Sequence, residues 1–106
     1  MPKFMVQATY SYDGLKGLLT DGGSARVDAV RKAAESLGGH LDSFYFAFGD
    51  EDTYVICDLP DNTAAAALAL TVGAAGGATT KTTVLLTPEE IDRAAKVKAD
   101  YHAPGR

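Results

Sequence analysis

The chain has 106 residues, which is room for one domain, and its 46% hydrophobic content is typical of a globular core. Its formal net charge is −4, and its 10 Lys and Arg residues are scattered along the sequence. Nucleic acids and anionic membranes are bound by clustered basic residues, so the sequence predicts neither partner.

The apolar stretches and the single cysteine indicate the cellular compartment of the protein. The longest apolar stretch, Ala64–Ala78, consists mostly of alanine and glycine and is too short to cross a bilayer. Residues Met1–Tyr10 lack the long apolar segment of a signal peptide. Cys57 cannot form an internal disulfide and lies in an apolar run, so we expect a buried, unreactive thiol. Together these features predict a cytoplasmic protein.

The first half of the chain predicts one strand followed by a broken helix. Phe4–Tyr10 is short and rich in strand-favouring residues. A helical region follows, and Asp21-Gly22-Gly23 interrupts it. Ser24 is expected to cap the second piece, whose apolar residues recur at helical spacing: Val27, Val30, Ala34 and Leu37. Gly38-Gly39 is expected to end that helix.

The second half predicts three strands and two helices. These elements are strands Leu41–Phe48, Thr53–Leu59 and Thr79–Leu86, a helix over Thr63–Ala75 capped by Asp61-Asn62, and a final helix. Thr87-Pro88-Glu89-Glu90 has the spacing of a capping box with proline at the first helical position, so it opens the final helix, to about Lys98. The tail, Ala99–Arg106, has no assignable pattern.

The order βαββαβ followed by one helix predicts an α+β, ferredoxin-like domain over residues 1–98, with 99–106 as a C-terminal tail. Both crossover helices should cover the same face of a four-stranded antiparallel sheet. The strands alternate apolar residues with other apolar or uncharged ones, so the second face should also be covered. We expect sheet-to-sheet pairing into a homodimer or a higher even homo-oligomer. Alternatively, the final helix covers part of that face.

Segments spread over nearly the whole chain resemble the GYD domain family. They are Lys3–Val6, Ser43–Gly49, Asp52–Val55, Asp58–Asp61, Lys81–Thr83, Leu86–Glu90 and the closing Tyr101…Pro104-Gly105. The resemblance implies a ferredoxin-like fold of the dimeric α/β-barrel group and brings hardly any chemistry with it. The eponymous motif falls on Gly49…Asp52, with Asp50-Glu51 where a single tyrosine would stand.

Few residues could serve as a catalytic base. Histidine titrates nearest neutral pH, and the chain has His40 at a helix–strand junction and His102 in the tail. The carboxylates Asp42 and Asp58 are the other candidates, provided that they are buried. The alternative is that both histidines are simply surface residues.

Three tyrosines could line a cavity for a small molecule. Tyr10, Tyr45 and Tyr54 would supply apolar walls, and the polar contacts would come from Gln7, Thr9 and Ser43. Alternatively, these side chains fill the core or the dimer contact.

The acidic run Asp50-Glu51-Asp52 matches no calcium-loop spacing and is expected to be a solvated turn that Asp52 fixes through backbone amides. No metal site is predicted.

Three functions are compatible with these residues. The first is a binding or interaction module for a small, mostly apolar molecule, without a cofactor. The second is a cofactor-independent enzyme of the oxygenase or isomerase type that uses a cavity between sheet and helices, by analogy of fold. The third is an interaction subunit without a ligand. A cavity that contains a base favours the enzyme, and a roomy cavity without one favours binding.

Overall fold

The computed structural model describes residues 1–106 as four strands and four helices. In chain order the elements are β1 (Lys3–Tyr10), α1 (Tyr12–Asp21), α2 (Gly23–Ser36), β2 (His40–Phe46), β3 (Thr53–Asp58), α3 (Asn62–Ala74), β4 (Ala78–Leu85) and α4 (Pro88–Lys96). None of the helices has the length and hydropathy needed to cross a lipid bilayer.

The four strands form one open antiparallel sheet in the order β2-β3-β1-β4. The central strand β1 pairs with β3 on one side and β4 on the other, so that Val6 lies opposite both Val55 and Thr82. The β2–β3 register shifts between Leu41 and Ser43, which leaves Asp42 between two paired residues. The predicted α+β architecture with a four-stranded antiparallel sheet is confirmed.

The core lies between one face of the sheet and the helices. Alternate residues of the two central strands are buried there, because successive side chains of a strand point to opposite faces: Phe4, Val6 and Ala8 of β1, and Val55 and Cys57 of β3. The helices contribute mainly Ala34, Ala65 and Leu68. Only 13 of 106 residues are buried, so this layer is thinly filled. Cys57 is fully buried, as predicted, and burial, followed by the nearby Asp58 carboxylate, raises the pKa of its thiol.

Most helix ends follow the predicted capping residues. Asp61 accepts a hydrogen bond from the backbone N–H of Ala64 at 2.9 Å, and Thr87 and Glu90 form the complete capping box of α4. Ser24 does not cap α2, contrary to the prediction. The chain already turns at Gly22, whose φ of 84° favours glycine, and α2 therefore begins one residue before Ser24.

The C-terminal helix stands apart from the rest of the molecule. It ends at Lys96 and not at Lys98, and no other helix or strand packs extensively against it. Residues 91–100 are all exposed. The molecule is accordingly elongated, 58 × 33 × 22 Å, with a radius of gyration of 16.9 Å, whereas about 13 Å is typical of a compact 100-residue domain. Within one chain, α4 therefore does not cover the second face of the sheet.

Candidate functional site

A cleft of about 710 Å³ lies between the sheet and helices α1, α2 and α3. Small residues make up part of its helical walls, together with larger apolar side chains such as Leu18, Val30 and Leu68. Gly14 and Gly17 line it from α1, and Ala25, Ala29 and Ala33 line it from α2 at four-residue spacing, which places them on one side of that helix. Because these side chains are short, this part of the helix layer does not fill the space above the sheet.

The floor of the cleft is the helix-facing side of the sheet. Val6 and Ala8 of β1, Val55 and Thr53 of β3, and Phe44 of β2 line it. Their side chains are apolar except for the Thr53 hydroxyl, and Thr53 is only 1% exposed. A ligand in the cleft would therefore lie on an apolar surface.

Besides threonine hydroxyls, one tyrosine and three charged side chains line the cleft, namely Tyr10, Asp13, Asp21 and Arg26. Burial raises the pKa of the Tyr10 phenol, and the positive charge of Arg26 partly offsets that effect. Tyr10 is therefore a neutral hydrogen-bonding group at physiological pH. None of the three charged side chains belongs to an ion pair within the chain, so Arg26 has its full set of donors available to a ligand.

The turn between β2 and β3 holds the end of β1 that carries Tyr10. The carboxylate of Asp52 accepts a hydrogen bond from the backbone N–H of Tyr10 at 2.8 Å. The backbone N–H of Asp52 donates to the carbonyl of Ala8 at 2.9 Å, and its carbonyl accepts from Ala47 at 2.9 Å. The prediction that Asp52 fixes the turn through backbone amides is confirmed, and the same bonds position Tyr10 at the cleft.

Glu51 is not solvated, which corrects the prediction for the acidic turn. It is 6% exposed, because its side chain folds over the face of the sheet away from the helices. There it accepts hydrogen bonds from Lys81 at 2.8 Å and from the hydroxyl of Thr9 at 2.5 Å. The Lys81 ammonium and then the Thr9 hydroxyl lower the pKa of the Glu51 carboxyl.

The three candidate catalytic residues meet at one end of the sheet. His40 and Lys3 both lie opposite Asp58 in the strand register. His40 Nε2 is 2.9 Å from one Asp58 oxygen, and Lys3 Nζ is 3.0 Å from the other. Lys3 also contacts Asp42 at 3.1 Å, and hydrogen bonds to Asp58 and then Asp42 raise the pKa of its ammonium.

This cluster lies on the sheet face that the helices leave open, and none of its residues lines the cleft. Asp58 is 8% exposed, whereas His40 and the tail residue His102 are exposed. No group of three or more His, Cys, Asp or Glu side chains is arranged to hold a metal ion. The arrangement is an ion-paired network centred on a buried carboxylate.

Of the six candidate ligand-binding residues, only Tyr10 lines the cleft. The other five lie on the open face: Gln7, Thr9, Ser43, Tyr45 and Tyr54. Alternation along β1 separates them, since Tyr10 shares a face with Phe4 and Val6. The sequence reasoning missed Arg26 and the alanines of α2. The four-residue spacing of Ala25, Ala29 and Ala33 was the available signal. It predicts a side of the helix whose side chains are too small to fill the space next to the sheet.

Comparison with known proteins and protein families assigns the chain to a family. No curated protein and no solved structure matches the chain. The family model described as the GYD domain matches residues 4–95, which includes all four strands except the first residue of β1, the cleft and the Gly49…Asp52 turn. The protein therefore belongs to the GYD domain family.

Proposed function

We propose that the protein is a binding module that holds one small, mostly apolar molecule in the cleft between sheet and helices, and that it acts as a homodimer. The observation that carries the proposal is the cleft itself. Its volume of about 710 Å³ lies within the range of about 300–1,000 Å³ that is usual for small-molecule sites. Its mixture of an apolar floor with a few polar groups is also how such sites are built.

The polar groups indicate the kind of molecule that fits. An apolar body would lie on Val6, Val55 and Phe44. A single hydrogen-bonding or anionic group would reach Tyr10 and Arg26, because a guanidinium pairs well with planar oxyanions. A planar apolar molecule with one acidic or carbonyl group satisfies both surfaces.

Binding is favoured over catalysis because no general base in the cleft is fixed in position by a hydrogen-bonded or ion-paired partner. A cofactor-independent oxygenase or isomerase needs a base beside the substrate. The histidine–carboxylate pair, His40 with Asp58, lies on the opposite face of the sheet. Asp13 and Asp21, the carboxylates that line the cleft, are exposed and form no ion pair. The enzyme remains the alternative function.

The fold proposed for each protomer is ferredoxin-like. The element order βαββαβ and the placement of β1 and β3 in the middle of the sheet support it, with the first crossover helix broken into α1 and α2. We further propose that two protomers join through their open sheet faces and form a dimeric α/β barrel in the cytoplasm.

The open face is suited to such a contact. Met5 and Ile56 are half-buried there without any covering element, and Tyr45 is 70% exposed. The charged groups of this face are already paired, since Asp58 contacts Lys3 and His40, and Glu51 contacts Lys81. A second copy could therefore cover the face without leaving a buried charge unpaired, which would otherwise oppose association.

Isothermal titration calorimetry with 1-anilinonaphthalene-8-sulfonate tests the cleft. This probe has an apolar aromatic body, which includes a planar naphthalene ring system, and one anionic group. The wild type should bind one probe per chain saturably. Ala29→Trp, which places a large side chain in the cleft from an exposed position, should abolish that binding. Ala74→Trp puts the same side chain on α3 outside the cleft and should bind like the wild type. Equal binding by all three proteins would contradict the proposal.

A further inference from the structure

The C-terminal arm, defined as Leu86–Arg106, contains a helix that lacks extensive packing contacts within its own chain. Its helix α4 has 9 residues, and isolated helices shorter than about 12–15 residues are marginal in water. Even with a capping box and proline at its start, such a helix depends on packing. No strand or helix of its own chain packs extensively against it.

The arm has an apolar side that faces solvent. Ile91, Ala94 and Ala95 share one side of α4 because they are three and four residues apart. Ile91 is 51% exposed, and the flanking Leu86, Val97 and Tyr101 are 58%, 74% and 76% exposed. Apart from Pro88 at its start, charged side chains occupy the remaining positions of the helix. This is the pattern of a helix that packs one side against protein.

We propose that the C-terminal arm packs against a second copy of this chain, so that each protomer of the dimer holds the other with its arm. This inference rests on the proposed homodimer and assigns part of its interface. The arm leaves the sheet at the rim of the open face, since Leu85, the last residue of β4, lies opposite Lys3. A partner seated on that face is within reach of the arm.

The area of the open face favours this arrangement. Four strands about 4.8 Å apart, with about six paired residues of 3.3 Å each, outline a face of roughly 400 Å². Each partner of a stable interface contributes about 800 Å². The accessible surface of the face is larger than this flat outline, because side chains project from it. The apolar side of the arm adds further area to the interface. Sheet pairing together with arm exchange therefore reaches the size of a stable dimer more readily than sheet pairing alone.

The charge of the arm is compatible with an acidic partner. The arm contains four acidic residues and four basic ones, so its formal net charge is zero: Glu89, Glu90, Asp92 and Asp100 against Arg93, Lys96, Lys98 and Arg106. The whole chain carries −4, so the rest of the chain carries all of that charge. The arm can thus approach a second copy without net repulsion. The remaining parts of two chains, residues 1–85, carry like net charges and repel each other.

Two variants of the full chain test the role of the arm. Ile91→Lys places a charge on the apolar side of α4. Asp92→Asn adds the same +1 change at the neighbouring, exposed position. By sedimentation equilibrium, Ile91→Lys should weaken the dimer by about tenfold or more, because a charge replaces an isoleucine that the proposed interface would bury. Asp92→Asn should stay within about twofold of the wild type.

An isotope-filtered nuclear Overhauser experiment identifies the surface that the arm contacts. In a dimer mixed from carbon-13-labelled and unlabelled copies, the Ile91 methyl groups should show contacts between copies. A dimer in which these contacts arise only within one chain, or one that Ile91→Lys leaves unchanged, would overturn arm exchange but not sheet pairing. A wild type that stays monomeric would overturn both the dimer and arm exchange. Probe binding in the cleft is measured separately.

Discussion

At the scale of single residues, Asp52 connects the turn between β2 and β3 to the cleft. Its side chain and its backbone bond to two residues at the end of β1, Tyr10 and Ala8, and Tyr10 in turn lines the cleft. A carboxylate that accepts a backbone N–H forms one of the stronger hydrogen bonds in proteins. Asp52 therefore has a structural role, because it holds the end of β1 that carries Tyr10.

Replacing Asp52 with alanine should destabilise the fold. The loss of a hydrogen bond to a charged acceptor predicts a decrease of about 1.5–3 kcal/mol in the free energy of unfolding. Urea denaturation followed by circular dichroism measures it. Asp50→Ala, in the same turn but exposed and without a side-chain hydrogen bond, should change the free energy by less than about 0.5 kcal/mol. Equal effects of the two substitutions would contradict this role of Asp52.

Glu51 should make the free energy of unfolding depend on pH in the acidic range. Its pKa is lowered in the folded state relative to its ordinary value of 4.5, chiefly by Lys81. The unfolded chain therefore takes up the proton first, so the contribution of Glu51 is present above about pH 4.5 and is lost as the pH falls through the folded-state pKa. Glu51→Gln should make the free energy of unfolding decline less steeply below pH 4.5.

Thermal denaturation between pH 3 and pH 7 checks this dependence. Glu35→Gln is the matched control, because it removes an exposed carboxylate that has no ion pair. That variant should follow the wild-type profile. An acid limb that Glu51→Gln leaves unchanged would show that the contact with Lys81 does not persist in solution.

At the scale of elements, the start of α1 is held closely against the turn before β4. The backbone N–H of Ser11 donates to the carbonyl of Gly77 at 2.9 Å, and its hydroxyl donates to the carbonyl of Gly76 at 2.8 Å. A Cβ atom on Gly14 would lie 2.0 Å from the Gly77 carbonyl oxygen. This approach, which only glycine permits, sets the position of α1 over the cleft.

Gly14→Ala should therefore push α1 away from that turn. We expect a loss of about 1–3 kcal/mol in the free energy of unfolding, as for other overpacked sites. Gly17→Ala is the control on the same helix, since its Cβ would meet nothing within 4 Å, and it should stabilise α1 by up to about 1 kcal/mol. Urea denaturation distinguishes the opposite signs. A stabilised Gly14→Ala variant would mean that α1 is free to move.

The elements themselves were largely predictable, because local chemistry determines them. The capping box at Thr87, the cap at Asp61 and the glycine stop after α2 are all visible in the sequence and are all confirmed. The start of α2 was not, because either Gly22 or Ser24 could end the break between the helices. Only the backbone geometry at Gly22 decides between them.

The candidate site was harder to predict than the elements. The meeting of His40, Asp42 and Asp58 depends on the strand register and on the shift between Leu41 and Ser43, neither of which the sequence displays. The burial of Glu51 depends on a contact with Lys81, 30 residues away. Strand alternation, in contrast, already separates Tyr10 from Gln7 and Thr9, so that part of the site could have been predicted.

At the scale of the whole molecule, the chain leaves two surfaces incompletely covered. The helix layer leaves a cleft above one face of the sheet, and the opposite face has no covering element. A ligand would fill the first surface and a second copy would cover the second. The two proposals therefore concern opposite faces of one sheet, and each can fail without the other.

Native mass spectrometry of the purified wild type and of Ala29→Trp, at micromolar concentration, tests the account most directly. For the wild type, we predict an even oligomer that carries extra mass, which denaturation releases and which identifies the ligand by weight. Ala29→Trp should form the same oligomer without that mass. A wild type that appears only as a monomer with no carried mass would contradict both the dimer and the ligand-binding cleft.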